Sequence, residues 1–130
     1  MTDIEDREEI RELYSRYALS IDEGDADTWV RCFTDDGVFE SPRFGRHAGR
    51  DGLQKFTELY RESLHGTKIR HVISNLSLKI EGERASGICY LTYYHTKSGK
   101  SELAAVGGYR DELRKIGGRW QFAKRSVFVD

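Results

Sequence analysis

The spacing of apolar residues changes once along this chain, near Ile69, and that change constrains the fold more than any other feature. Before it, apolar side chains recur every three or four residues, the spacing of one helix face. After it they alternate, the spacing of a strand with one buried side. Ile10, Leu13, Tyr14, Tyr17, Ala18 and Ile21 make the first helical stripe, with Thr2 or Asp3 as its cap and Gly24 as its left-handed terminus. Asp25 can cap a short second helix, Ala26 to Cys32, that buries Trp29 and Phe33. Thr34-Asp35-Asp36-Gly37 reads as a turn, Val38 to Glu40 as a short strand, and Phe44 to Ala48 as another. A third helix, about Asp51 to Leu64, turns Leu53, Phe56, Leu59 and Tyr60 to one side and ends at His65-Gly66.

Four long strands follow: Ile69–Ile80, Ala85–Thr96, Ser101–Leu113 and Arg119–Val129. Short turns join them at Glu81-Gly82-Glu83, Lys97-Ser98-Gly99 and Gly117-Gly118. Helices first and an antiparallel meander second is an α+β layer pattern, not a βαβ one. No repeat or linker interrupts it, so residues 1–130 are expected to form one domain, long enough to bury roughly two thirds of the unfolded surface.

Composition narrows the class. Lys and Arg number 21 against 22 Asp and Glu, a net charge of −1. That balance lacks the basic footprint of a nucleic-acid binder. No apolar run approaches the ~20 residues of a membrane span, and no leader is evident. Neither nucleic acid nor membrane is therefore expected as a partner, and a cytoplasmic location is. Cys32 and Cys89 are expected to be reduced core thiols. On the last strand, Trp120 and Phe122 point one way while Ala123, Arg125 and Val127 point the other. Three helices can cover one side of such a sheet. The other side is expected to meet a second subunit, with Trp120 and Phe122 as candidate contacts, in a homo-oligomer that is a trimer or a dimer.

Several motifs fail on inspection. Ser98-Gly99-Lys100-Ser101 lacks the upstream glycine and the following helix of a phosphate loop. Asp22, Asp25 and Asp27 do not have calcium-loop spacing. His47, His65, His71 and His95 are dispersed, so neither a metal nor a cofactor is expected. Gly107-Gly108 inside a strand suggests a bulge or bend. What remains is a set of polar residues on inward positions. Asp22 falls about 40° beyond Ala18 on the helical wheel. His71 lies near the start of the first long strand, and Tyr93 and His95 share parity with Cys89 and Leu91. An inward Arg125 needs a counter-charge or a ligand, because an unpaired buried cation is costly.

With these residues in view, the sequence resembles the SnoaL-like branch of the nuclear transport factor 2-like superfamily, which includes scytalone dehydratase, a bile-acid dehydratase and hexachlorocyclohexane dehydrochlorinase. The matching stretches are residues 14–25 with Trp29, Phe33-Thr34-Asp35-Asp36-Gly37, Arg70-His71-Val72-Ile73-Ser74-Asn75-Leu76, and Gly118-Arg119-Trp120-Gln121-Phe122-Ala123-Lys124-Arg125. The resemblance implies a cone-shaped α+β barrel, three N-terminal helices packed in a curved, mixed, mostly antiparallel sheet around a deep pocket. It also implies an acid/base pair of Asp22 and His71. Arg125 falls where the dehydrochlorinase carries a pocket arginine, and Tyr17 where the bile-acid enzyme carries an active-site tyrosine. Ile21 replaces the tyrosine of scytalone dehydratase, and Tyr93 stands near the bile-acid enzyme's second acidic residue. Scytalone itself is therefore not the expected substrate.

The reading leans to an enzyme: a cofactor-independent, dehydratase-like lyase on a small hydrophobic, cyclic or aromatic substrate. His71 and Asp22 are its catalytic candidates, and Tyr17, Tyr93, His95, Arg125 and Tyr109 its substrate-binding ones. Tyr14, Phe33 and Phe56 are further candidates for the cavity wall. An isomerase or polyketide-cyclase-like enzyme would use the same pocket, and a non-catalytic small-molecule-binding or assembly module would keep the fold without the chemistry.

Overall fold

The structure is a computed structural model and describes residues 2–130. Helix α1 spans Asp3–Glu23; the Thr2 hydroxyl accepts the Glu5 N–H at its start, and left-handed Gly24 closes its end. Helix α2, Ala26–Arg31, is capped by Asp25. Strands β1 (Phe33–Ser41) and β2 (Gly45–Ala48) form a hairpin leading into helix α3 (Gly49–Leu64). The meander is β3 (Lys68–Glu81), β4 (Arg84–Lys97), β5 (Lys100–Ile116) and β6 (Arg119–Val129). The sheet order is β2-β1-β6-β5-β4-β3, and only the β1–β6 pair is parallel. The expected α+β architecture is therefore present, with one correction. The curved sheet does not close into a barrel: β2 and β3 remain edges, and the helices fill its concave side.

The expected turn at residues 34–37 lies inside β1. Its register against β6 jumps from Phe33–Phe122 to Val38–Lys124, so the turn residues loop out of a strand that continues beyond them. Gly37 allows this, since a Cβ there would meet the Phe33 Cβ at 2.8 Å. Leu59 also departs from its expected stripe and is exposed.

Two bulges decide which side chains face inward. On β6, Phe122 pairs with Leu113 and Lys124 with Glu112, which leaves Ala123 without a partner. The extra residue inverts the alternation, so Trp120, Phe122, Arg125 and Val127 all face the helices. Trp120 and Phe122 are accordingly 2% and 0% exposed and belong to the core, not to a subunit contact. The Trp120 indole N–H donates to Asp6 of α1 at 2.9 Å. On β3, Ser74 pairs with Tyr90 and Ser77 with Ile88, so Asn75 and Leu76 together oppose Cys89. Asn75 takes a positive φ of 56° there, a conformation asparagine tolerates better than most residues.

Gly107 and Gly108 are not themselves bulges. A Cβ on Gly107 would strike the Phe128 carbonyl, and one on Gly108 the Cys89 carbonyl and the Phe128 ring. They are places of close approach. Both cysteines are buried and free, as expected. No helix among the described residues is long and apolar enough to cross a membrane.

Candidate functional site

Asp22 sits in the last turn of α1, just before its glycine terminus, and His71 lies on β3 beside it. The Asp22 carboxylate holds the histidine twice. Oδ1 lies 2.6 Å from His71 Nδ1, and Oδ2 accepts the His71 backbone N–H at 3.1 Å. A carboxylate only accepts, so Nδ1 carries a proton, and in the neutral ring the lone pair is on Nε2. Both side chains are 12% exposed. The β3 bulge is what makes the contact possible. His71 has the opposite parity from Leu76, Leu78 and Ile80 in the sequence, and the extra residue at Asn75–Leu76 brings all four to the helix-facing side.

The His71 ring forms part of the wall of a cavity of about 340 Å³ between the helices and the concave sheet. Tyr17 and Ile21 of α1, Phe39 of β1, and Phe56 and Tyr60 of α3 supply one side. Tyr93 and His95 of β4, Tyr109 of β5 and Val127 of β6 supply the other, and the β1–β2 hairpin tip with Arg43 and Phe44 lies at the rim. The size falls in the range that encloses a small organic molecule, and the lining is largely aromatic.

Polar groups are few and concentrated near His71. The Tyr93 ring lies 4.6 Å from the His71 ring, centroid to centroid. Its hydroxyl is hydrogen-bonded to that of Tyr60. Two hydroxyls sharing one bond consume one of their two protons, which leaves one O–H free to donate. Burial pushes both phenols above their ordinary acidity range, so the pair stays protonated at neutral pH. His95 packs edge-on against Tyr93 at 4.9 Å, and its buried Nε2 has no partner among the described residues. Burial raises Tyr109 well above its ordinary value and Tyr17 to about 12.

Arg125 does not line the cavity. It is fully buried beneath it, with Nε and Nη2 each 2.8 Å from an oxygen of Asp111. The Tyr14 hydroxyl donates to the same carboxylate. The guanidinium carbon lies 3.7 Å from the Tyr109 ring centroid and 4.3 Å from that of Tyr17, so the cation backs the two tyrosines that wall the chamber. Tyr14 and Phe33 likewise lie in the core and not on the cavity wall.

Two residues escaped the sequence reading. Asp111 alternates with Tyr109 and Leu113 on β5, so an acid at an inward position was visible by the same parity that singled out Arg125. Tyr60 carried no such signal, because its place on the apolar stripe of α3 suits a core residue equally well. No group of three or more His, Cys, Asp or Glu among the described residues is placed to hold a metal.

Comparisons with known proteins agree with this architecture. Residues 2–126 match the profile of the SnoaL-like domain. No curated protein matches the chain in sequence. Among solved structures, an NTF2-like protein with a cystatin-like fold from Novosphingobium aromaticivorans is 26% identical, with a TM-score of 0.89 over 97% of this chain and 82% of that one. A variant of Rv3472, a protein of unknown function from Mycobacterium tuberculosis, is 27% identical, with a TM-score of 0.87 over 96% and 76%. A protein from Catenulispora acidiphila, solved in complex with S-DNPA, is 24% identical, with a TM-score of 0.87 over 95% and 92%, and shows the fold alone.

Proposed function

The chain belongs to the SnoaL-like domain family of NTF2-like proteins, and within that family we propose that it is a cofactor-independent lyase that eliminates water from a small hydrophobic, cyclic or aromatic substrate. One observation carries the reading: Asp22 engages Nδ1 of His71, which leaves Nε2 as the ring nitrogen available to exchange a proton, on a ring that walls an apolar chamber.

The chemistry follows from that arrangement. With a β-hydroxyketone in the cavity, His71 Nε2 takes a proton from the carbon next to the carbonyl. The C–H electron pair forms the new C=C bond and the carbonyl π pair moves to oxygen. The imidazolium is stabilised by Asp22, as a carboxylate stabilises an imidazolium in other acid/base pairs. The free O–H of the Tyr60–Tyr93 pair donates to the enolate oxygen. When the carbonyl re-forms, the enolate C=C pair shifts to make the α,β double bond, the β C–O bond breaks with its pair leaving on oxygen, and the imidazolium gives its proton to that hydroxide, yielding water. Low dielectric in the chamber strengthens each of these interactions relative to water.

A panel of cyclic β-hydroxyketones tests this. A bicyclic member whose dehydration yields a naphthol is convenient, because the product fluoresces. His71→Ala and Asp22→Asn are each expected to lower turnover by about 10²–10⁴-fold while near-ultraviolet circular dichroism stays unchanged. Full activity in either folded variant would overturn the mechanism. An isomerase or a polyketide-cyclase-like ring closure would begin with the same proton abstraction, and the phenol pair suits any enolate. Product mass separates these classes, since isomerisation conserves it and elimination loses water. Binding without conversion in the wild type would mark a non-catalytic module.

A further inference from the structure

Among the described residues, the cavity lining carries one fixed positive charge, and it stands at the rim. Arg43 occupies the tip of the β1–β2 hairpin, exposed to solvent yet part of the chamber wall. Among the described residues it has no carboxylate partner. Neighbouring arginines do: Arg46 pairs with Glu40 at 3.6 Å and Arg50 with Asp35 at 2.6 Å. Asp22, the carboxylate of the site, is engaged by His71.

The guanidinium lies over an aromatic face. Its carbon lies 5.0 Å from the Phe44 ring centroid. Phe44 in turn packs edge-on against Phe56 at 5.4 Å and Tyr60 at 5.9 Å. Tyr60 lies 6.4 Å from the His71 ring, centroid to centroid, so Arg43 and Phe44 stand at the same end of the chamber as His71. An aromatic-walled chamber with an unpaired guanidinium at its mouth complements a ring system that ends in an acid. Arginine recognises a carboxylate through two parallel hydrogen bonds, and a charge of one sign at a cleft mouth concentrates the opposite charge there.

We infer that Arg43 is a specificity-determining residue, selecting a hydrophobic ring substrate that bears a carboxylate and orienting it with the ring in the chamber and the acid at the rim. This inference rests on the reading of the cavity as the substrate site, but not on any turnover.

Binding of naphthalene-2-carboxylate and of its primary amide, measured by calorimetry, tests it. The two ligands share shape and differ in charge. Wild-type protein at low salt is expected to favour the carboxylate by about tenfold, with the preference shrinking toward unity at about 0.5 M salt. Arg43→Gln is expected to bind both equally. Arg43→Lys is expected to keep only part of the preference, because an ammonium lacks the planar fork. His71→Ala, which frees the Asp22 carboxylate, is expected to retain a preference for the carboxylate that Arg43→Gln loses, which separates this inference from the catalytic reading. Equal affinity in the wild type, a preference that survives in Arg43→Gln, or binding of neither ligand would each overturn it. Loss of hydroxyketone turnover in His71→Ala with no carboxylate preference would sink Arg43's role alone.

Discussion

Single residues in this protein act through what they are paired with. Asp6 is the clearest structural case: its carboxylate accepts the Trp120 indole N–H and lies 3.1 Å from the Lys115 ammonium. The bond from Trp120, aided by Lys115, holds its pKa below the ordinary value of 3.8. A folded-state pKa that is depressed stabilises the fold at pH above the unfolded value, and that contribution disappears as pH falls through the folded one. The urea midpoint of the wild type is therefore expected to fall on acidification below about pH 4, and that of Asp6→Asn to fall less steeply over the same range. Parallel curves for the two proteins would show that the pair contributes nothing. Partner identity is also what the sequence conceals. Inward parity exposed Arg125 as an anomaly, but its counter-ion Asp111 lies fourteen residues upstream on another strand. Only the β5–β6 register brings the two together. Tyr60 was invisible for the opposite reason, since its hydroxyl matters only because β4 delivers Tyr93 to it.

At the scale of elements, the helices were legible and the strands only partly so. Caps at Thr2 and Gly24, with the apolar stripe between them, define α1 from local chemistry alone. Alternation likewise located the four long strands. Counting by twos assumes an uninterrupted ladder, however, and the extra residues at Asn75–Leu76 and Ala123 each break it. Those breaks turn His71 and Arg125 to the inner face together with the apolar residues. Bulges thus re-aim the polar residues of this fold, as they often do beside functional sites. Asn75 bears the strained backbone, at φ 56°. Asn75→Val is expected to cost about 1–2 kcal/mol in urea denaturation, the penalty of a branched side chain in left-handed geometry, whereas Asn75→Gly is expected to stay within about 0.5 kcal/mol of wild type. Equal stability of the valine and glycine variants would mean that this backbone geometry is not maintained in solution.

For the whole molecule, one face of the sheet is covered by helices and the other is not. Trp120 and Phe122 were the wrong candidates for a subunit contact, yet the uncovered face still carries Val72, Tyr90, Leu103 and Val106, all well exposed on neighbouring strands. Clustered apolar side chains of this kind mark association surfaces. Light scattering at micromolar concentration is expected to report an oligomer, and Tyr90→Lys with Val106→Lys to shift it to monomer. A wild-type monomer would contradict that expectation. The α+β class and the concave site were readable from the change of period and the resemblance. Closure of the barrel was not, because edge pairing is long-range and no local residue records it. The proposed elimination depends on His71 removing a proton from carbon, and deuterium exchange measures that step without requiring the natural substrate. A bicyclic ketone with no leaving group, incubated with the protein in heavy water, is expected to gain deuterium beside its carbonyl. The rate is expected to fall by about 10²-fold or more in Asp22→Asn and to the solvent background in His71→Ala. Undiminished exchange in His71→Ala, or no exchange above background with the wild type, would contradict proton abstraction by His71.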